Sequence, residues 1–221
     1  MLAAALLLAA GAPSVRAQTS AAKQEVIPPF EQEIIAFEAS DKTNPPPRDA
    51  VLFIGSSSIR LWKSLAADFP KHKVINRGFG GSHVSDSVNY AERIAIPYRP
   101  RLIVFYAGGN DIHGGKTPER VFADYKAFVA KIHAALPRTR IAYISIAGNP
   151  SRWAEVGRVR EANRLIEAHT NTDPRLQFIN VFPRMLGEDG QPRPEIFVAD
   201  RLHMNERGYQ LWKEIVGPYL D

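Results

Sequence analysis

Five short runs of apolar residues punctuate the chain, separated by longer stretches in which apolar residues return every third or fourth position. Val51–Ile54, Lys73–Asn76, Arg101–Tyr106, Ile141–Ile146 and Leu176–Val181 read as strands. Runs with no polar break are the mark of strands covered on both faces, as in parallel sheets. The intervening stretches read as helices. Phe30, Ile34, Phe37 and Asp41 share a helical spacing, with Glu31 and Glu33 in the first turn, where the helix dipole favours acids. Ile59, Leu61, Trp62 and Leu65 open a second helix directly after the turn at Gly55, and a third runs to Ile94. Thr117-Pro118-Glu119 is a helix start, with a capping hydroxyl, a proline at the first position and an acid behind it. Val121, Phe122, Tyr125, Phe128, Val129 and Ile132 then mark one face until Pro137 ends it. Trp153 to Ala168 and about Glu206 to Leu220 complete the set.

Strands alternating with helices predict an α/β fold, a parallel sheet with helices on both faces. No internal repeat and no second domain is visible. In open sheets of this kind, function gathers in the loops leaving the carboxyl ends of the strands. The loops carrying Ser57, Gly81 and Asn110 leave that edge, as does the segment after the fifth strand that runs to Asp200-Arg201-Leu202-His203.

Composition narrows the function classes. At 221 residues the chain suits one domain with a large core. A net charge of +5 is modest, and the 28 Lys and Arg are scattered without a run of five, which describes a solvated surface and not a nucleic-acid stripe. The absence of cysteine removes disulfides, thiolate metal ligands, a lipoprotein anchor and a cysteine nucleophile together. No metal-ligand spacing of the His-x-x-x-His or Asp-x-Asp-x-Asp kind occurs. At the N-terminus, Met1 to Ala12 is small and apolar, Pro13 breaks it, and Val15-Arg16-Ala17 supplies small residues at a cleavage site before Gln18. A cleaved export signal over residues 1–17 is expected, without the usual basic n-region, giving a periplasmic or secreted protein with no stable membrane span. Residues 18–47 then form a lead-in and helix, and 48–221 the main domain.

The polar residues at the sheet edge suggest one chemistry. Acyl transfer by serine needs a nucleophile, a base, a carboxylate that orients the base, and donors for the oxyanion. Ser57 lies two places after Gly55, at a strand-turn-helix junction. His203 offers the base, and Asp200, three residues earlier, can hold its imidazole. Gly81 offers an unobstructed amide, with Gly80 as its competitor, and Asn110 a side-chain amide.

Four blocks in order now resemble a known family, the SGNH or GDSL-type esterases and lipases. They are Phe53-Ile54-Gly55-Ser56-Ser57-Ser58, Asn76-Arg77-Gly78-Phe79-Gly80-Gly81, Gly108-Gly109-Asn110-Asp111 and Asp200-Arg201-Leu202-His203. The resemblance implies a flavodoxin-like three-layer α/β/α sandwich with a five-stranded parallel sheet, and ester hydrolysis through an acyl-enzyme without a cofactor. It assigns Ser57 as nucleophile, His203 as base and Asp200 as orienting acid. The oxyanion hole would be the Ser57 and Gly81 amides with the Asn110 side chain. One departure is clear: the family's Gly-Asp-Ser-Leu here reads Gly55-Ser56-Ser57-Ser58, which leaves three adjacent serines to choose among.

His83 and His113, in the loops of the second and third blocks, are candidate substrate contacts, with a solvated role as the alternative. Asn163 falls on an apolar stripe with Val159 and Ile166, where a structural hydrogen bond is expected. Asp111 is expected to order its own loop, and Trp62 and Trp153 to pack in the core or at its rim. The expected partner is a small-molecule or carbohydrate ester, acetyl or short-chain. The motifs leave open a thioesterase or lysophospholipase with the same site, and a non-catalytic glycan-binding relative. A nucleotide-binding reading fails because Gly55-Ser56-Ser57-Ser58 lacks the lysine and spacing of a phosphate loop.

Overall fold

The computed structural model describes residues 29–221. The expected export signal therefore lies outside the described residues. Five strands, β1 (Val51–Gly55), β2 (Val74–Gly78), β3 (Leu102–Tyr106), β4 (Arg140–Ile144) and β5 (Leu176–Ile179), form one sheet in the order β2-β1-β3-β4-β5. Every pairing is parallel. This is the flavodoxin-like order, and it reverses direction between β1 and β3.

Side chains along each strand alternate between two cores, because successive residues point to opposite faces. Leu52, Ile54, Ile103, Phe105, Ile141 and Tyr143 face one layer of helices: α1 (Glu31–Thr43), α4 (Val84–Ile94), α6 (Pro118–Ala135) and α7 (Val156–Thr170). Val51, Phe53, Leu102, Val104, Ala142 and Ile144 face the other layer: α2 (Ser57–Arg60), α3 (Leu65–Asp68) and α8 (Glu206–Val216). The expected three-layer α/β/α sandwich is present. Trp62 and Trp212 are fully buried in the second layer, and each large apolar side chain so buried contributes about 1.5–3 kcal/mol.

Several element ends differ from the sequence reading, each for a local reason. The single helix expected after Gly55 is two, α2 and α3, because the chain turns at Leu61–Ser64 to send Trp62 inward. The Trp62 indole donates to Asp68 at 2.8 Å, and the Asn76 side chain donates through Nδ2 to the Ile59 carbonyl at 2.7 Å, near the end of α2. The fourth strand stops at Ile144 and not Ile146, since Asn163 of α7 occupies both the N–H (2.8 Å) and C=O (3.0 Å) of Ile146. Asn163 is thus the structural tie its position suggested. Beyond β5, the amides of Val181 and Phe182 donate to the Ser145 hydroxyl in place of a strand partner. The helix expected from Trp153 begins only at Val156; Pro150–Glu155 ahead of it is a 3₁₀ segment. Trp153 lies at the rim, stacked on Phe182 at 6.4 Å. The last helix ends at Val216, followed by a short 3₁₀ turn.

Candidate active site

The site is built where the strand order reverses, from the loops leaving β1 and β3. Gly55 closes β1 with φ 133°, and a Cβ there would lie 1.8 Å from the Tyr106 carbonyl oxygen of β3. Only glycine permits this approach, which turns the chain into α2 with Ser57 as its first residue. Of the three serines, Ser57 is the one whose hydroxyl faces an imidazole: its Oγ is 2.9 Å from His203 Nε2. Ser56 is buried, its carbonyl closing the α2 turn on the Ile59 and Arg60 amides, and the Ser58 carbonyl accepts from the Tyr209 hydroxyl.

His203 arrives from the other side, on the segment between β5 and α8. Its Nδ1 is 2.7 Å from Asp200 Oδ2. The other Asp200 oxygen accepts the amides of Leu202 and His203, both at 2.9 Å, so one carboxylate folds the turn and faces the ring at once. The His203 backbone amide, its ring and the Leu202 amide together hold the Asp200 carboxyl down at a pKa of about 2, from an ordinary 3.8. Arg201 takes a left-handed φ of 58° to complete the turn. The His203 carbonyl accepts from Val198, and Asn205 caps α8 through Gly208 while its amide holds the carbonyls of Glu195 and Phe197.

Asn110 sits in the first turn of α5 (Gly109–His113). Its Nδ2 donates to the Ser82 carbonyl at 3.1 Å, and its Oδ1 accepts from Arg152 Nη1 at 3.0 Å. Through Ser82 it is joined to the loop carrying Gly81. Gly81 has φ 78° and open space over its Cα, whereas the Gly80 amide turns toward Glu33 (3.5 Å) and a Cβ there would strike Arg60. Among the described residues, neither the Ser57 nor the Gly81 amide donates to a protein acceptor. The two loops are pinned by Asp111, wholly buried, which accepts the Val84 amide at the start of α4 and the Lys116 ammonium at 2.8 Å. Asp111 therefore orders two loops where the sequence suggested one.

Ser57, Asn110 and His203 line a common cleft with about 30 Å³ of room, floored by Tyr106, Met185, Met204 and Trp212. Gly81, His83 and His113 are not among its lining residues. The His83 amide donates to Asp86 at the start of α4, and the His113 ring is 2.8 Å from Glu155. Arg152 does line the cleft, a residue the sequence reading did not single out. The signal was there in principle, because Arg152 lies in the loop leaving the carboxyl end of β4. Among the described residues, no group of three or more His, Asp or Glu side chains is placed to hold a metal ion, and no helix is long and apolar enough to cross a membrane. The arrangement can pass a hydroxyl proton to an imidazole held by a carboxylate, with amide donors nearby.

A sequence profile of the GDSL-like Lipase/Acylhydrolase family matches residues 55–211, well over half of the chain. The chain belongs to that family. It is an ester-hydrolysing enzyme. No curated protein matches it. Among solved structures it is similar to a GDSL-like lipase from Bacteroides thetaiotaomicron (TM-score 0.72, 18% identity, covering 85% of this chain and 96% of that one). It is also similar to an acetyl-xylooligosaccharide esterase from Geobacillus (TM-score 0.63, 13% identity, 79% and 95% covered). An acetyl esterase variant with an acetate ion gives a TM-score of 0.61 at 16% identity, with 77% and 95% covered. At these identities the likeness is one of fold, and this GDSL-family enzyme shares the sheet and layers of all three.

Proposed function

We propose that the enzyme is an exported serine esterase that hydrolyses acetyl and other short-chain esters through an acyl-enzyme. The observation that carries this reading is the Ser57–His203–Asp200 line, with contacts of 2.9 and 2.7 Å. Ser57 Oγ attacks the ester carbonyl carbon while His203 Nε2 takes its proton. The oxygen of the tetrahedral intermediate, now an anion, is met by the Ser57 and Gly81 amides and the Asn110 side chain. His203 then hands the proton to the departing alcohol oxygen as the carbon–oxygen bond breaks. Water, deprotonated by the same imidazole, releases the carboxylic acid and restores Ser57. Asp200, ionised throughout the working range, keeps the Nδ1 proton of His203 in place and stabilises the imidazolium.

The similar folds support the short-chain choice. The acetyl esterases among them act on acetyl esters by name, and one on an acetylated oligosaccharide. A carbohydrate acetyl ester suits an exported enzyme, and the apolar, cleavable-looking segment before Gln18 supports export.

The test is a series of p-nitrophenyl esters from acetate to decanoate with acetylated sugars beside it, read as kcat/KM, together with a fluorophosphonate probe. Acetate should exceed octanoate by at least about tenfold, a margin that a few excluded methylenes readily supply. The probe should label Ser57. Equal or rising rates with chain length would point to a lipase or lysophospholipase. Labelling absent, with no ester turned over, would mark a binding relative.

A further inference from the structure

Asn110 can donate to an oxyanion only if its nitrogen, and not its oxygen, is held toward the reacting centre. The two ends of a side-chain amide have nearly the same shape, so packing alone does not choose between them. Here two neighbours with single roles make the choice. The Ser82 carbonyl can only accept, and it takes one hydrogen of Asn110 Nδ2 at 3.1 Å. The Arg152 guanidinium can only donate, and its Nη1 meets Asn110 Oδ1 at 3.0 Å. Turning the amide over would set donor against donor and acceptor against acceptor, losing both bonds.

Arg152 is itself placed with care. It departs from helical geometry within the Pro150–Glu155 segment, at φ −123° and ψ 25°. Its amide is held by the Asn149 side chain at 3.0 Å, and the Ser151 amide beside it donates to the Arg201 carbonyl, inside the Asp200–His203 turn. Nη1 also reaches the Gly109 carbonyl at 3.3 Å. At the far end of the segment, Glu155 meets His113, the last residue of α5. One short segment thus grips the Asn110 helix at two points and the His203 turn at a third.

We infer that Arg152 is a positioning residue for the oxyanion donor: it fixes the orientation of the Asn110 amide and, through its charge on Oδ1, strengthens the remaining Nδ2–H as a donor. The second effect follows because a cation on the amide oxygen draws electron density from the nitrogen. This inference rests on the serine-esterase reading for its catalytic consequence, but the orientation itself is independent of activity.

The experiment has two arms. In the first, the Asn110 side-chain amide signal in a ¹H–¹⁵N spectrum, assigned by its loss in Asn110→Ala, is followed in Arg152→Ala and Arg152→Lys. Two distinct, slowly exchanging protons are expected in the wild type. In Arg152→Ala, exchange broadening or a changed shift is expected, with Arg152→Lys between the two. An Asn110 signal unchanged in a folded Arg152→Ala protein overturns the inference, whatever the enzyme turns over. In the second arm, Arg152→Ala should lower kcat on a short ester by 10- to 100-fold with KM within threefold, and added guanidinium should restore part of it. In an Asn110→Ala background the same change should cost less than threefold, because its target is gone. Full additivity, or a raised KM with kcat intact, would make Arg152 a substrate contact and defeat the positioning role. If the wild type turns over no ester, the esterase reading fails while the first arm still decides the orientation.

Discussion

In the proposed mechanism, Asn110 is the single side chain that carries the most weight. A donor to the oxyanion acts on a charge that exists only as the reaction proceeds, so its removal should lower kcat far more than it raises KM. Asn110→Ala is expected to cost roughly 10²–10³ in kcat, about 2.7–4 kcal/mol, the range seen when one such donor is deleted. Asn110→Asp should be at least as damaging, since it sets an acceptor and a negative charge beside the developing anion. The structure adds a reason: a carboxylate would still receive Arg152 but would face the Ser82 carbonyl with a second acceptor. Steady-state kinetics on a short ester, with circular dichroism to confirm folding, checks both. A folded Asn110→Ala enzyme with wild-type kcat would leave the residue a turn former.

Elements come next, and the Asp200–His203 turn behaves as one. Asp200 serves three donors, so its charged form is favoured in the folded state and its pKa falls to about 2. The sign follows from linkage: with the folded value below the unfolded 3.8, Asp200 stabilises the fold fully above the unfolded value, and loses that contribution as pH falls through 3.8 toward 2. Half of its side chain is exposed, so the effect is tempered by solvent. A ¹³C carboxyl titration should place the Asp200 midpoint near 2; a midpoint at 3.8 would mean the turn is not held as described. This turn was legible in the sequence because its two reacting parts are contiguous, an acid and a histidine three residues on. The same holds for Ser57, placed by its distance from Gly55. For Arg152 the sequence offered only its place in the loop after β4; its role was not legible, because its partners Asn110 and Gly109 lie more than forty positions away. The splitting of the Ser57 helix was hidden for a related reason. Leu61, Trp62 and Leu65 fit a helical period, but the Trp62–Asp68 bond and the Asn76 side chain, from the next strand, redirect the chain. Local periodicity sees propensity; it does not see a tertiary partner that outbids it.

At the scale of the whole molecule, the first helix decides how much of the chain the catalytic fold requires. The family match begins at residue 55, after α1 has ended. Yet α1 covers the same face of the sheet as α4. Ile34 is fully buried in that core, and Phe30 meets Phe79 edge-on at 5.3 Å, directly before the Gly80-Gly81 loop. Arg93 of α4 reaches Glu31 and Glu38, and Arg77 of β2 is paired with Asp41 while its guanidinium lies over Phe37. Removing α1 would take away the carboxylate and the ring that cover Arg77 and would expose the apolar face that Ile34 and Phe30 fill. Ile34→Ala alone should cost about 2–4 kcal/mol through lost burial and the cavity left behind, lowering Tm by about 2–4 °C for each kcal/mol in a domain of this size. A chain starting at Arg48 should melt lower still than Ile34→Ala. It should also lose esterase activity beyond its loss of stability, because the Gly81 loop would have no Phe30 against its Phe79 anchor. Calorimetry of the chain from Gln18, its Ile34→Ala variant and the chain from Arg48, with ester turnover well below each Tm, gives the comparison. Equal melting temperatures for the first and last would show that α1 only rests on the fold, and that the profile boundary at 55 is close to the true one.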